Sequence, residues 1–236
     1  MSFNSRRLIL VLAALIGVLV WLFINPASYE QNFTPIDDAT VDDSSIIKAT
    51  DILEKLPVKG RAPKTGYSRE EFYSNWPTID GCNLRQRIIR RELGDTATLS
   101  SDNCTVIAGE YDEPYTGKHQ IFHVKEEITK GIQIDHVVAL SDAWQKGAQQ
   151  LDPAARHNLA TDPLNLLAVD ASTNQQKSDG DAATWLPPNK KFRCQYVARQ
   201  VSVKYKYNLW ITEAEKSAIT QVLTNCPNEP AVGIEL

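Results

Sequence analysis

An aspartate and a histidine stand side by side at Asp135-His136, inside the stretch "QIDHVVALSDAW". Asn165 follows His136 by 29 residues, Asn174 follows Asn165 by nine, and Lys177 lies three further on. An isolated Asp-His pair is most often structural. The same pair followed by Asn-x8-Asn-x2-Lys across a strand, a return and a helix points to chemistry. Such a unit can bring the Asp135 carboxylate and the Asn174 amide oxygen onto one divalent cation. Oxygen ligands suit a hard ion, Mg²⁺ first and Mn²⁺ as the alternative. The His136 imidazole titrates naturally near working pH, so it is left free to serve as a general base. A metal and a base together equip a protein for attack of water on a phosphodiester.

The elements that must position these groups are legible in outline. "IQIDHVVAL" is β-like, and neighbours in a strand point to opposite faces. "PLNLLAVD" returns in β style, and "ASTNQQKSDGDAATWL" reads as a helix from near Ser172. Between the two β segments lies a helical insertion, "SDAWQKGAQQLDPAARHNLATD", in which Asp152 caps and Pro153 opens a helix. Upstream, "CNLRQRIIRREL" is amphipathic, with Leu84, Ile88, Ile89 and Leu93 on one side and Arg85, Arg87, Arg90 and Arg91 around them. Those arginines form either a solvated face or a phosphate-contacting one; Arg69 is a further candidate for phosphate. Ser68 and Glu71 suggest a capping box. Residues 104–124 read as short strands around the turn "DEPYTGK". Two helices follow residue 193, the second capped by Thr212. His119, His123 and His157 read as surface or turn residues, Asp179 and Asp181 as helix-surface charges, and Trp144 and Trp185 as core. The fold class is α+β with a small antiparallel sheet.

At 236 residues and 42% hydrophobic, the chain can bury a substantial core. Its net charge of −4 does not announce a nucleic-acid binder. The acid is concentrated between Pro26 and Gly60, where seven carboxylates face three lysines. Three parts are expected: residues 1–25, an acidic tether over 26–60, and a domain over 61–236. Arg6-Arg7 precede a charge-free run from Leu8 to Ile24, 17 residues long. That run is either a membrane anchor or a long signal peptide. Both place the body outside the cytoplasm. Cys82, Cys104, Cys194 and Cys226 form no C-x-x-C pair, and an even count in an exported protein suggests two disulfides. Of three pairings, Cys82–Cys104 and Cys194–Cys226 are preferred, because they close local loops.

The segments "IDHVVALSDAWQKGA", "TDPLNLLAVDASTNQQKSDGD" and "WLPPN…RCQY…VKYKYNL" resemble the HNH (His-Me finger, ββα-metal) endonucleases. The resemblance is to exported proteins related to the C-terminal domain of GmrSD-type restriction enzymes. "GCNLRQRIIRREL" and "GEYDEPYTG" resemble the same family, so that about residues 65–226 are covered. The resemblance implies that Asp135 and Asn174 ligate the metal and that His136 is the general base. It implies that Asn165 holds the loop and orients the His136 backbone. Lys177 would face the scissile phosphate. The third letter is Asn rather than His, which speaks against zinc. The implied substrate is nucleic acid, DNA in the first instance, with Arg85, Arg87 and Arg91 as candidate contacts and low sequence specificity. The rival reading is a catalytically silent module on the same scaffold that binds anionic polymers. No protein partner is indicated.

Overall fold

In chain order the elements are α1 (Ala49–Lys55), β1 (Thr78–Ile79), β2 (Cys82–Asn83), α2 (Leu84–Leu93), β3 (Thr98–Leu99), β4 (Val106–Asp112) and β5 (His119–Phe122). There follow α3 (Lys125–Gly131), β6 (Ile132–His136), α4 (Leu140–Gln145), α5 (Pro153–Thr161), β7 (Leu166–Asp170), α6 (Ala171–Lys177), α7 (Arg193–Lys206) and α8 (Glu213–Leu223). The computed structural model describes residues 47–233. The expected anchor or leader and residues 26–46 of the expected tether lie outside the described residues. Among the described residues no helix is long and apolar enough to cross a membrane.

The strands form three small antiparallel sheets, β1-β2, β3-β4-β5 and β6-β7. The class is α+β, and the single small sheet of the sequence reading is divided. The β6-β7 pair sits between helices because both of its faces are apolar. Ile132 and Ile134 of β6 and Leu166 and Ala168 of β7 pack against Leu84, Ile88, Ile89 and Leu93 of α2. Each of those α2 side chains, fully buried, contributes about 1.5–3 kcal/mol. On the opposite face Leu167, Val169 and Val137 meet Tyr196, Val197 and Val201 of α7 and Ile52 and Leu53 of α1. The alternation along each strand thus sets which helix covers which face. The register is continuous, with Asp135 opposite Leu167 and His136 opposite Leu166.

Several expectations are corrected here. Residues 47–60 do not form a tether: Ala49, Ile52, Leu53 and Leu56 are buried in the core with α7 and α8. Their acidic neighbours Asp51 and Glu54 are exposed, and the other five carboxylates of the acidic stretch all precede residue 44 in the sequence. The capping box at Ser68 does not form, and only a short 3₁₀ turn follows at Arg69–Glu71. The helix from Ser172 is shorter than expected. It starts at Ala171, capped by the Asp170 side chain, and stops at Lys177, because Ser178 takes a left-handed conformation (φ 52°). Helix α3, absent from the sequence reading, is seven residues long and buries only Ile128.

Both disulfides pair as expected, Cys82 with Cys104 and Cys194 with Cys226. The first ties β2 to the loop before β4. Gly109 of β4 is required by close approach: a Cβ there would lie 2.7 Å from Leu93 Cδ2 and 3.0 Å from the Thr96 carbonyl, and its φ is +148°.

Candidate active site

Strand β6 ends at His136 because the next two amides leave the ladder for one residue. Val137 N–H donates to the Asn165 carbonyl (2.8 Å), and Val138 N–H donates to Asn165 Oδ1 (2.8 Å). The Asn165 amide nitrogen donates to the Leu159 carbonyl (3.2 Å), and the side chain is fully buried. One asparagine therefore locks the chain leaving β6 to the end of α5 and to the start of β7.

The same end of α5 fixes His136. Its Nε2 lies 2.9 Å from the Ala160 carbonyl. A carbonyl only accepts, so Nε2 carries the proton and Nδ1 of the neutral ring holds the lone pair. Nδ1 has no partner among the described residues. The ring stacks on Trp76, centroids 5.8 Å apart and 10° from parallel. Burial, with the nearby Arg69 and Lys177 charges, pulls the imidazole down to about 3, so it is neutral in the free protein.

Asp135 points to the other face of β6, where its carboxylate is held at both oxygens. Lys177 Nζ donates to Oδ1 at 2.9 Å, and the Tyr115 hydroxyl donates to Oδ2. Burial pushes the Asp135 carboxyl up, and the Lys177 charge and the Tyr115 hydrogen bond oppose that. Tyr115 is itself fully buried among Trp185, Phe192 and Tyr196. Its loop is tied by Glu113, which accepts from the Tyr115 and Thr116 amides and from the Asp170 amide at the start of α6.

Asn174, on α6, donates through Nδ2 to Gln133 Oε1 at 2.9 Å. Gln133 is two residues before Asp135, on the same face of β6. In this orientation Asn174 Oδ1 is buried without a hydrogen-bond partner. Asp135, His136, Gln133 and Asn174 all line one cleft of about 350 Å³, together with Lys64 and Arg69. A carboxylate, an orphaned amide oxygen and no thiol form an oxygen donor set, which fits a hard divalent ion. Among the described residues the one group of three His, Cys, Asp or Glu side chains close enough to share an ion is Cys194, Cys226 and Glu229, and its two cysteines are joined as a disulfide.

Other expected site residues lie elsewhere. Lys177 does not face the cleft. It is 2% exposed, and its Nζ is divided between Asp135 Oδ1 and the His136 carbonyl, each at 2.9 Å. Arg85 is half-buried and donates to the Ile132 carbonyl. Arg91 donates to the Pro163 and Leu166 carbonyls and pairs with Glu92, and Arg87 pairs with Asp80 at 2.8 Å. Arg87 and Arg91 line a separate groove beside the Cys82–Cys104 disulfide. They are on α2, across the hairpin from Asp135 and Asn174. The cations in the cleft are instead Lys64 and Arg69, both exposed. Asp181 is not a helix-surface charge. It is 3% exposed, in a buried network with Arg61 and Lys146, while Asp179 lines the cleft.

The sequence reading missed Tyr115, Gln133 and the Ala160 carbonyl. Tyr115 and Gln133 stand inside the quoted motifs, and the alternation of β6 places Gln133 beside Asp135. The Ala160 carbonyl has no side-chain signature at all.

The model of the family "GmrSD restriction endonucleases, C-terminal domain" matches residues 84–222. An uncharacterized secreted protein of Arthroderma benhamiae is 36% identical over 181 residues, 75% of this chain and 84% of that protein. No solved structure matches significantly. The chain belongs to the family of GmrSD restriction endonuclease C-terminal domains.

Proposed function

We propose that this protein is an exported, metal-dependent endonuclease of the HNH type. It hydrolyses phosphodiester bonds in nucleic acid, DNA in the first instance, with low sequence specificity. The observation that carries this reading is the state of His136. Its Nε2 proton is committed to the Ala160 carbonyl, and its Nδ1 lone pair is left without a partner in the cleft that Asp135 and the orphaned Asn174 oxygen also line.

The chain's own groups divide the work. His136 Nδ1 takes the proton of the attacking water, and the bond from Nε2 to Ala160 stabilises the imidazolium that forms. In the free protein the ring is too weak a base for this. A phosphodiester entering beside it brings negative charge that raises its basicity, against the opposing charge of the bound ion. Asp135 and Asn174 would hold the divalent ion, Mg²⁺ or Mn²⁺. When bound, that ion supplies charge stabilisation at the phosphoryl group and the leaving oxygen. Lys177 and Tyr115 keep Asp135 aimed. Lys64 and Arg69 contact the phosphate backbone, which positions the strand without reading its sequence. Export is supported by the two disulfides, by the basic-then-apolar N-terminal sequence and by the secreted relative.

The test is nicking of supercoiled plasmid by the full chain with Mg²⁺, with Mn²⁺ or with chelator, beside His136→Ala. Loss of the base should slow cleavage about 10²–10⁴-fold. Nicking that survives chelation, or that His136→Ala leaves intact, refutes the proposal. Binding of DNA without any cleavage by the wild type would assign the scaffold to a silent binding module.

A further inference from the structure

A second cavity, of about 340 Å³, lies behind the β6-β7 hairpin, between the start of the β4-β5 turn and α7. Pro114, Leu167, Phe192 and Val232 form its apolar part, and the rest of its wall is polar or charged. Two polar groups on it lack partners. Arg199 of α7 makes no hydrogen bond or ion pair among the described residues, although burial pulls against its charge. An arginine keeps its proton even so, and leaving a guanidinium partly buried and unpaired is costly. Tyr111 of β4 is 6% exposed, and its hydroxyl oxygen is buried without a hydrogen-bond partner. Of the cavity's two carboxylates, Asp112 pairs with His119, and Glu92 pairs with Arg91 while its charge also reaches Arg199 and Tyr111.

Burial and the neighbouring Glu113, Asp170 and Glu92 carboxylates keep the Tyr111 hydroxyl protonated, hence a donor. Both unpartnered groups therefore offer hydrogens and ask for an acceptor. A volume of this size is at the lower end for small-molecule sites. We propose that this cavity binds a small organic anion, one carboxylate or phosphate on an apolar body, with the anionic group on Arg199 and Tyr111 and the body against Leu167 and Phe192. This site is distinct from the candidate active site and does not depend on nuclease activity.

The probes are phenyl phosphate and benzoate, with benzylamine as the cationic control, titrated into the full chain and followed by calorimetry. One or both anions should bind saturably, and benzylamine should not. Arg199→Met should weaken that binding about tenfold or more, as loss of a charged hydrogen bond implies. Tyr111→Phe, which keeps the ring, should weaken it several-fold, and it serves as the second variant should Arg199→Met fail to fold. His136→Ala should leave the binding unchanged, which separates this cavity from the active-site cleft. No saturable binding by either anion, equal binding of benzylamine, or affinities unmoved by both variants would overturn the assignment. So would anion binding that appears only after residues 234–236 are removed, since the chain's own end would then be the occupant.

Discussion

Lys146→Met should be among the most destabilising single changes in the molecule. Lys146 is fully buried, and its Nζ lies 2.7 Å from each of Asp142, Asp181 and Glu215. Two other cations complete the cluster. Lys204 pairs with Glu215 at 2.7 Å and Asp142 at 3.3 Å, and Arg61 reaches Asp142 and Asp181 at 2.9 and 2.7 Å. Three cations therefore balance three carboxylates. Removing Lys146 leaves one excess negative charge in a site with almost no water, which costs about 3–5 kcal/mol. For a domain of this size that is a fall in Tm of roughly 6–20 °C. Lys146→Met with Glu215→Leu restores the balance, since Arg61 and Lys204 still face Asp142 and Asp181. The double variant should recover at least half of the loss, with a coupling of about 2 kcal/mol or more in a double-mutant cycle read by urea unfolding. A single-variant loss below about 1 kcal/mol, or a double loss equal to the sum of the singles, would refute the account. The cluster also bears on the cleft. Asp142 follows Ser141 on α4, and Asp181 follows Asp179 by two residues. Ser141 Oγ bonds Asp179 Oδ2 at 3.1 Å on the cleft wall.

Three further outcomes are expected. Tyr115→Phe removes only the hydroxyl on Asp135; it should lower Mn²⁺ affinity by about tenfold or more in calorimetry, and unchanged affinity would remove Tyr115 from the metal's surroundings. Arg69→Ala should weaken DNA binding and lower its salt dependence, while Arg87→Ala on the far groove should change neither; the reverse result would restore the α2 arginines as the substrate path. Burial pushes the Asp181 carboxyl up, but Lys146 and Arg61 outweigh that and hold it at about 2. A depressed carboxyl stabilises the fold above its ordinary range near 4, and that contribution disappears as pH falls from about 4 to 2. The amount is about 2 kcal/mol, and Asp181→Asn should flatten this part of the acid-unfolding curve.

The ββα unit was legible because its signals are local. The alternation of β6 and the apolar run of β7 are read a few residues at a time, and Asp152 and Thr212 cap their helices through amides three residues away. Asp135, His136 and Asn174 line one cleft, while Asn165 lies outside it and holds the chain leaving β6. What escaped is what depends on distant segments. Asp181 reads as a solvated charge in "KSDGDAA", and only its meeting with Arg61, Lys146 and Lys204, at least 23 positions away in sequence, makes it a buried ion. Lys177 follows Asn174 as a phosphate-facing residue would. The Asp135 carboxylate and the His136 carbonyl lie nearer, and they take two of the three hydrogens its ammonium offers.

The helical insertion shows the same limit from the side of function. By length alone it looks like a tolerated decoration between the two halves of the motif. In the structure its last turn holds the site: Ala160 offers the carbonyl that sets the His136 tautomer, and Leu159 offers the one that fixes Asn165. Main-chain carbonyls are common to every residue, so no side chain at 159 or 160 marks the role. The apolar pair does carry one constraint. Leu159 and Ala160 are fully buried against Val138, Leu140 and Trp144, so packing sets the height of the turn that presents those carbonyls. A charged or bulky residue at position 160 would act on the proton of His136 by moving a backbone oxygen, although residue 160 contributes no reactive group of its own.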